Sequence, residues 1–145
     1  MFQPYSINTL ARDRCWRTLS AGKTWEPLLE ASILHAGFES RRFRAIVDTG
    51  AEVSSFEASM GAQLGLRIKE GPMESLQVAS SAGGAAVYFH RVRLNIAGHA
   101  LEIWGGFCYD LAVPALLGRH GFFENFKVTF DPNRKGMQVD RVSAE

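Results

Sequence analysis

The stretch RAIVDTGAEVSS, residues 44–55, holds an aspartate directly after an apolar run and directly before Thr-Gly. Ala45, Ile46 and Val47 are apolar on both faces of an extended chain, which reads as a strand covered on two sides. Asp48 falls where that strand should still be running, and a buried carboxylate is costly unless it is compensated. Gly50 permits a backbone turn that a side chain would block, and Thr49 brings a hydroxyl able to donate or accept. A single carboxylate projected from such a turn can bind water but is a limited catalyst. Two held close together cannot both ionise, so they share a proton, and one serves as base while the other serves as acid. Asp-Thr-Gly arises by chance in a chain of this length on the order of a few per cent of the time. Its surroundings must therefore carry the reading.

The chain has 145 residues, 46% of them hydrophobic and 21% charged, with a formal net charge of +1. That is enough for one domain with one core. The charge gives no reason to expect nucleic acid or an anionic membrane as partner. The N-terminal MFQPYSINTLARDRCW lacks the sustained apolar run of a secretory signal. No segment approaches the roughly 20 apolar residues of a membrane span. A cytoplasmic location is the expectation, with Cys15 and Cys108 as two reduced thiols in preference to a disulfide.

Upstream of the motif, LLEASILHA (28–36) and FRAIVD (43–48) are separated by Gly and Ser and read as a hairpin. Residues 1–26 are mixed and polar, an arm or an extra strand ahead of a single domain over 27–145. Downstream, Phe56, Met60 and Leu64 recur every four residues, with Ser54 or Ser55 placed as N-cap and Gly65 as stop. That spacing predicts a short helix. SLQVA and AVYFHRVRLNI flank the tip SSAGG (80–84) as a long hairpin. AGHA is a further turn, ahead of LEIWGGFCYD and LAVPALLG. A second short helix is expected over 120–126. FKVTF, the turn DPNRKG and the terminal strand MQVDRV complete the chain. Many short strands with one or two short helices give a mainly β domain, closed as a barrel or folded as a sandwich.

FRAIVDTGAEVSS resembles the apolar-apolar-Asp-Thr-Gly-Ala signature of the aspartic proteases. Further along, PALLGRHGFF (114–123) resembles their second signature: Leu116 and Leu117, then Gly118, followed by Arg119 as in the retroviral branch. FFENFKVTFD is similar to the segment that follows in bacterial relatives. Over about residues 27–142 the chain thus resembles the retropepsin-like group. The resemblance implies a closed β-barrel with a flap hairpin over the Asp-Thr-Gly loop. It implies an aspartic endopeptidase acting on peptide or protein substrates without cofactor or metal. Asp48 is the implied catalytic residue, with Thr49 gripping across two loops and Gly50 offering its carbonyl to substrate. Ala51, the flap residues Ser81, Ala82, Gly83 and Gly84, and the pocket residues Pro114 and Leu116 are implied to touch substrate. Gly118 is implied to support the site, and Glu52 to pair with Arg119 and brace its floor; the bidentate geometry suits Arg better than Lys. His120 departs from the pattern, standing where relatives often carry Asp or Asn.

No second Asp-Thr-Gly or Asp-Ser-Gly exists, and Asp13, Asp110, Asp131 and Asp140 lack comparable surroundings. A two-lobed protease would need roughly twice the length. The missing carboxylate is therefore expected from a second copy in a two-fold homodimer, with MQVDRV as the strand pairing between subunits. His35, His90, His99 and His120 show no metal-ligand spacing, and no metal is expected. The alternative is a module that keeps the fold without catalysis and serves peptide binding or dimerisation.

Overall fold

The computed structural model describes residues 1–9, 23–77 and 84–143. Short apolar runs broken by Gly, Pro and Asn give β1 (Phe2–Pro4), β2 (Ser6–Thr9), β3 (Lys23–Glu26), β4 (Leu28–His35), β5 (Phe38–Glu39), β6 (Phe43–Val47) and β7 (Ser55–Glu57). A helix, α1 (Ala58–Gln63), and a 3-10 turn (Ile68–Glu70) follow. Then come β8 (Met73–Leu76), β9 (Ala85–Ile96), β10 (His99–Cys108), β11 (Ala115–Leu117), β12 (Phe126–Asp131) and β13 (Gly136–Arg141).

Strands β4-β6-β11-β7-β10-β9 are hydrogen-bonded in that order, and β9 returns to β4, so six strands close a barrel. Closure leaves β5, paired with β4, and β8, paired with β9, as the outer strands of this sheet. β11 sits parallel to β6 on one side and antiparallel to β7 on the other. The barrel is filled by Ile33, Phe56, Leu94, Phe107 and Leu117, all fully buried. Phe56 meets Phe43 edge-on at 6.0 Å and Phe107 at 5.7 Å between centroids. Each such side chain contributes roughly 1.5–3 kcal/mol by leaving water. A second, smaller cluster joins Val87, Cys108, Leu111 and Leu116, with Ile46 and Leu76 packed against it. β6 is thus covered on both faces, as its unbroken apolar run requires: Ala45 and Val47 face the main core and Ile46 the smaller one.

Residues 2–4 take the extra-strand option. β1 pairs with β13, which pairs with β12 in a three-stranded sheet. This narrows the expectation that MQVDRV pairs between subunits, because its first half has intrachain partners on both sides. β13 lies in the middle of its sheet, and its backbone groups from Gly136 to Gln138 are matched on both sides within the chain. Over that stretch the backbone groups are already used within the chain and are not free for another copy.

Two helix expectations are also corrected. Phe56 belongs to β7, and α1 begins only after it, capped by Glu57, whose carboxylate accepts from the Ser59 backbone N–H at 3.0 Å. Ser54 and Ser55 are buried in the barrel wall and cap nothing. Over 120–126 the chain makes a wide turn instead of a helix. Phe123 and Glu124 donate five residues back, to the Gly118 and Arg119 carbonyls. Gly121, at φ +92°, breaks any helical run. Phe122 still packs inward, stacked on Phe126 at 5.1 Å. Cys108 is buried as a free thiol, and Cys15 lies outside the described residues. Among the described residues no helix is long and apolar enough to cross a membrane.

Candidate active site

Because β6 and β11 run parallel in register, with Val47 beside Leu117, their ends deliver Asp48 and Gly118 to one place. The Asp48 N–H donates to the Leu117 carbonyl at 3.0 Å. Beyond that point the two loops continue as neighbours. Arg119 N–H donates to Ala51 O, His120 N–H to Glu52 O, both at 2.9 Å, and Ser54 N–H to His120 O at 3.0 Å. The contact leaves no room for a side chain at Gly118, where a Cβ would stand 2.3 Å from the Val53 carbonyl oxygen and 2.8 Å from that of Ala51. The glycine of the second signature is there for close approach of backbone.

Ser54 fastens the same junction. Fully buried, its Oγ donates to the His120 carbonyl at 2.8 Å and accepts from the Gly118 N–H at 3.1 Å. The sequence reading missed this role. Its signal was a serine held between Val53 and Phe56 at the edge of a strand, a place where a polar side chain must find partners.

Asp48 is half-buried, and its Oδ1 accepts from the Gly50 N–H at 2.9 Å. The Ala51 N–H returns to the Asp48 carbonyl at 3.2 Å, closing a tight turn around the acid. Asp48, Gly50, Ala51, Glu52, Leu116 and Arg119 line a cleft of about 700 Å³, together with Ser75, Leu76 and Gln77 from the β8–β9 hairpin. The hairpin expected as a flap is thus beside the acid at its base; Ser81, Ala82 and Gly83 lie outside the described residues. Gly84 leads into β9 at φ +91°. Thr49 is exposed at the rim. Leu116 both lines the cleft and packs into the smaller cluster. Pro114 is elsewhere, bordering a separate cavity with Met60 and Val113.

The expected Glu52–Arg119 ion pair does not form: no carboxylate oxygen of Glu52 lies within 4.0 Å of an Arg119 guanidinium nitrogen. Arg119 Nη1 donates instead to the Thr49 carbonyl at 2.8 Å. Glu52 and Arg119 are already joined through their loops' backbones, and Glu52 is exposed, where an ion pair gains little. The brace therefore runs from Arg119 to the turn itself. Among the described residues Asp48 is the one aspartate lining this cleft.

No protein-family model and no curated protein matches the sequence. Among solved structures the chain is similar to the retroviral protease-like domain of Ddi1 from Leishmania major. The identity is 18%, over 80% of this chain and 90% of that one, with a TM-score of 0.53. It is also similar to a retropepsin-like aspartic protease from Rickettsia conorii, at 15% identity over 94% of this chain and 92% of that one, with a TM-score of 0.55. What is shared at these identities is the fold: the chain is a mainly β, closed-barrel protein of retropepsin-like fold.

Proposed function

We propose that the chain is an aspartic endopeptidase that works as a homodimer, with an Asp48 from each copy sharing one proton across a two-fold axis. The ionised carboxylate takes a proton from a water as its oxygen attacks the peptide carbonyl, and the protonated one delivers its proton to the carbonyl oxygen. The tetrahedral diol then collapses, the C–N bond breaks and the amine leaves with a proton. In this reading Gly50 and Ala51 meet the substrate backbone, and Leu116 meets a side chain from the cleft wall. The observation that carries the proposal is the tight turn presenting Asp48 into the cleft, anchored by Leu117 and Gly50.

A second reading is favoured by the cleft of a single copy holding one aspartate among the described residues: a peptide-binding module without catalysis. One experiment separates the two. An unstructured peptide library is incubated at several values between about pH 4 and 7, since a carboxylate pair sharing a proton works below neutrality, beside the Asp48→Asn variant. Cleavage by the parent chain and none by the variant is the expected outcome. Failure to cut at concentrations where sedimentation shows a dimer would leave the binding module.

A further inference from the structure

A second cavity, of about 590 Å³, opens beside the Asp48 cleft and shares Glu52 and Val53 with it. Its size lies within the roughly 300–1,000 Å³ typical of ligand pockets. Met73 and Trp104 line it although they are 55% and 52% exposed, an apolar surface of the kind that marks a place of contact. Glu52, Glu74 and Glu124 supply its charge, and among the described residues no Lys or Arg lines it. His120 stands 3.7 Å from Glu124 and adds charge only when protonated. The arginines nearby are engaged: Arg91 lies over Trp104 while pairing with Glu102 at 2.7 Å, and Arg119 holds the Thr49 carbonyl.

We propose that this cavity receives a Lys or Arg side chain of the extended peptide held in the Asp48 cleft. The substrates are then peptides with a basic residue some positions away from the bond that is cut. The inference rests on the proposed function and names its substrate class. Continuity along β8 supports it: Ser75 and Leu76 border the cleft, and Met73 and Glu74, one step earlier, border the cavity. An extended peptide following this strand advances about 3.3 Å per residue and passes from one to the other. A basic side chain lays its aliphatic stem on Met73 and Trp104 and sets its cation among the carboxylates. An acidic side chain meets three like charges there.

The test has two arms. In the first, the full chain cuts a positional-scanning peptide library and the products are sequenced by mass spectrometry. Lys and Arg are expected to exceed Asp and Glu at least fivefold at one position outside the scissile pair. The double variant Glu74→Gln/Glu124→Gln should lose that enrichment, with KM raised at least fivefold on a basic peptide and kcat within twofold. The amide at 124 keeps an acceptor oxygen for the Gly121 N–H that Glu124 now holds at 2.8 Å, and the unfolding midpoint checks that the variant is folded. In the second arm, ¹⁵N-labelled Asp48→Asn is titrated with an acetylated Ala-Arg-Ala amide and with its Ala-Glu-Ala counterpart. The arginine peptide should shift the Trp104 indole and Gly121 amide signals, less so as salt rises, and the glutamate peptide should not. Cleavage without basic enrichment, or enrichment kept by the double variant, overturns the proposal and leaves the endopeptidase standing. If nothing is cut, the titration decides: shifts with the arginine peptide alone support the cavity's role in a binding module, and their absence overturns it.

Discussion

At Gly118 only a hydrogen fits between the carbonyls of Val53 and Ala51, so this position answers to the neighbouring loop more than to its own turn. Gly118→Ala is expected to lower stability by about 3 kcal/mol or more, since backbone must move to admit the methyl group. A urea unfolding series measures the loss, and peptide cleavage should vanish with it. Ser54→Ala removes one partner from each of two backbone groups at the same junction. Leaving buried polar groups unsatisfied costs about 1–3 kcal/mol, read from the same unfolding curves. Arg119 makes a single-nitrogen bond to a carbonyl, which an ammonium can also make. Arg119→Lys should accordingly retain far more cleavage activity than Arg119→Ala; equal losses in a peptide assay would contradict the brace. Gly118 and Arg119 were legible by resemblance because their neighbours form a recognisable string. The target of Arg119 was not legible, since spacing along a chain does not say where a long side chain points. Ser54 was hidden for another reason: a serine just ahead of a four-residue apolar period looks like a helix cap.

Elements were legible where the apolar pattern had one solution. The unbroken run in β6 needed cover on both faces and has it, and Asp131-Pro132-Asn133 turns the chain between β12 and β13 as its composition requires. Boundaries were not legible where two patterns overlap. Phe56 satisfies the helical spacing with Met60 and Leu64, yet pairing with β10 and β11 claims it for a strand. The smaller cluster bears most on the proposed function, because Leu116 touches the cleft on one side and packs with Val87 and Leu76 of the β8–β9 hairpin on the other. Leu116→Ala should cost about 2–5 kcal/mol, and cleavage should fall further than unfolding alone explains. The β4–β5 corner gives a pH prediction. The Ser32 hydroxyl donates to Glu39 at 2.6 Å, Asn95 adds a longer bond, and together they hold the Glu39 carboxyl below the usual carboxylate range. A lowered folded-state value means the contribution is complete above the ordinary glutamate range, near pH 4.3, and is lost as pH falls through the lowered value. Ser32→Ala should flatten that acid limb when unfolding is followed against pH.

For the whole molecule, the proposed dimer makes activity a property of concentration. Cleavage per chain should drop on dilution below the dissociation constant, tracking the dimer fraction in sedimentation; a rate per chain independent of dilution would rule out a shared site. With β13 matched on both sides from Gly136 to Gln138, β1 and β12 are the outer strands of the terminal sheet, and strand pairing between copies has them, or the end of β13 beyond β1, to use. The junction at Gly118 and Ser54 bears on timing as well. Its contacts join residues 64 to 70 positions apart, and closing so long a loop comes late and slowly when a chain folds. During synthesis the Asp48 turn leaves the ribosome long before the segment that shapes it. Until residue 120 is free to fold back, the growing chain carries the acid without the scaffold that gives it a use. Under the proposed function, a nascent chain that carries the turn alone has no scaffold for cleavage.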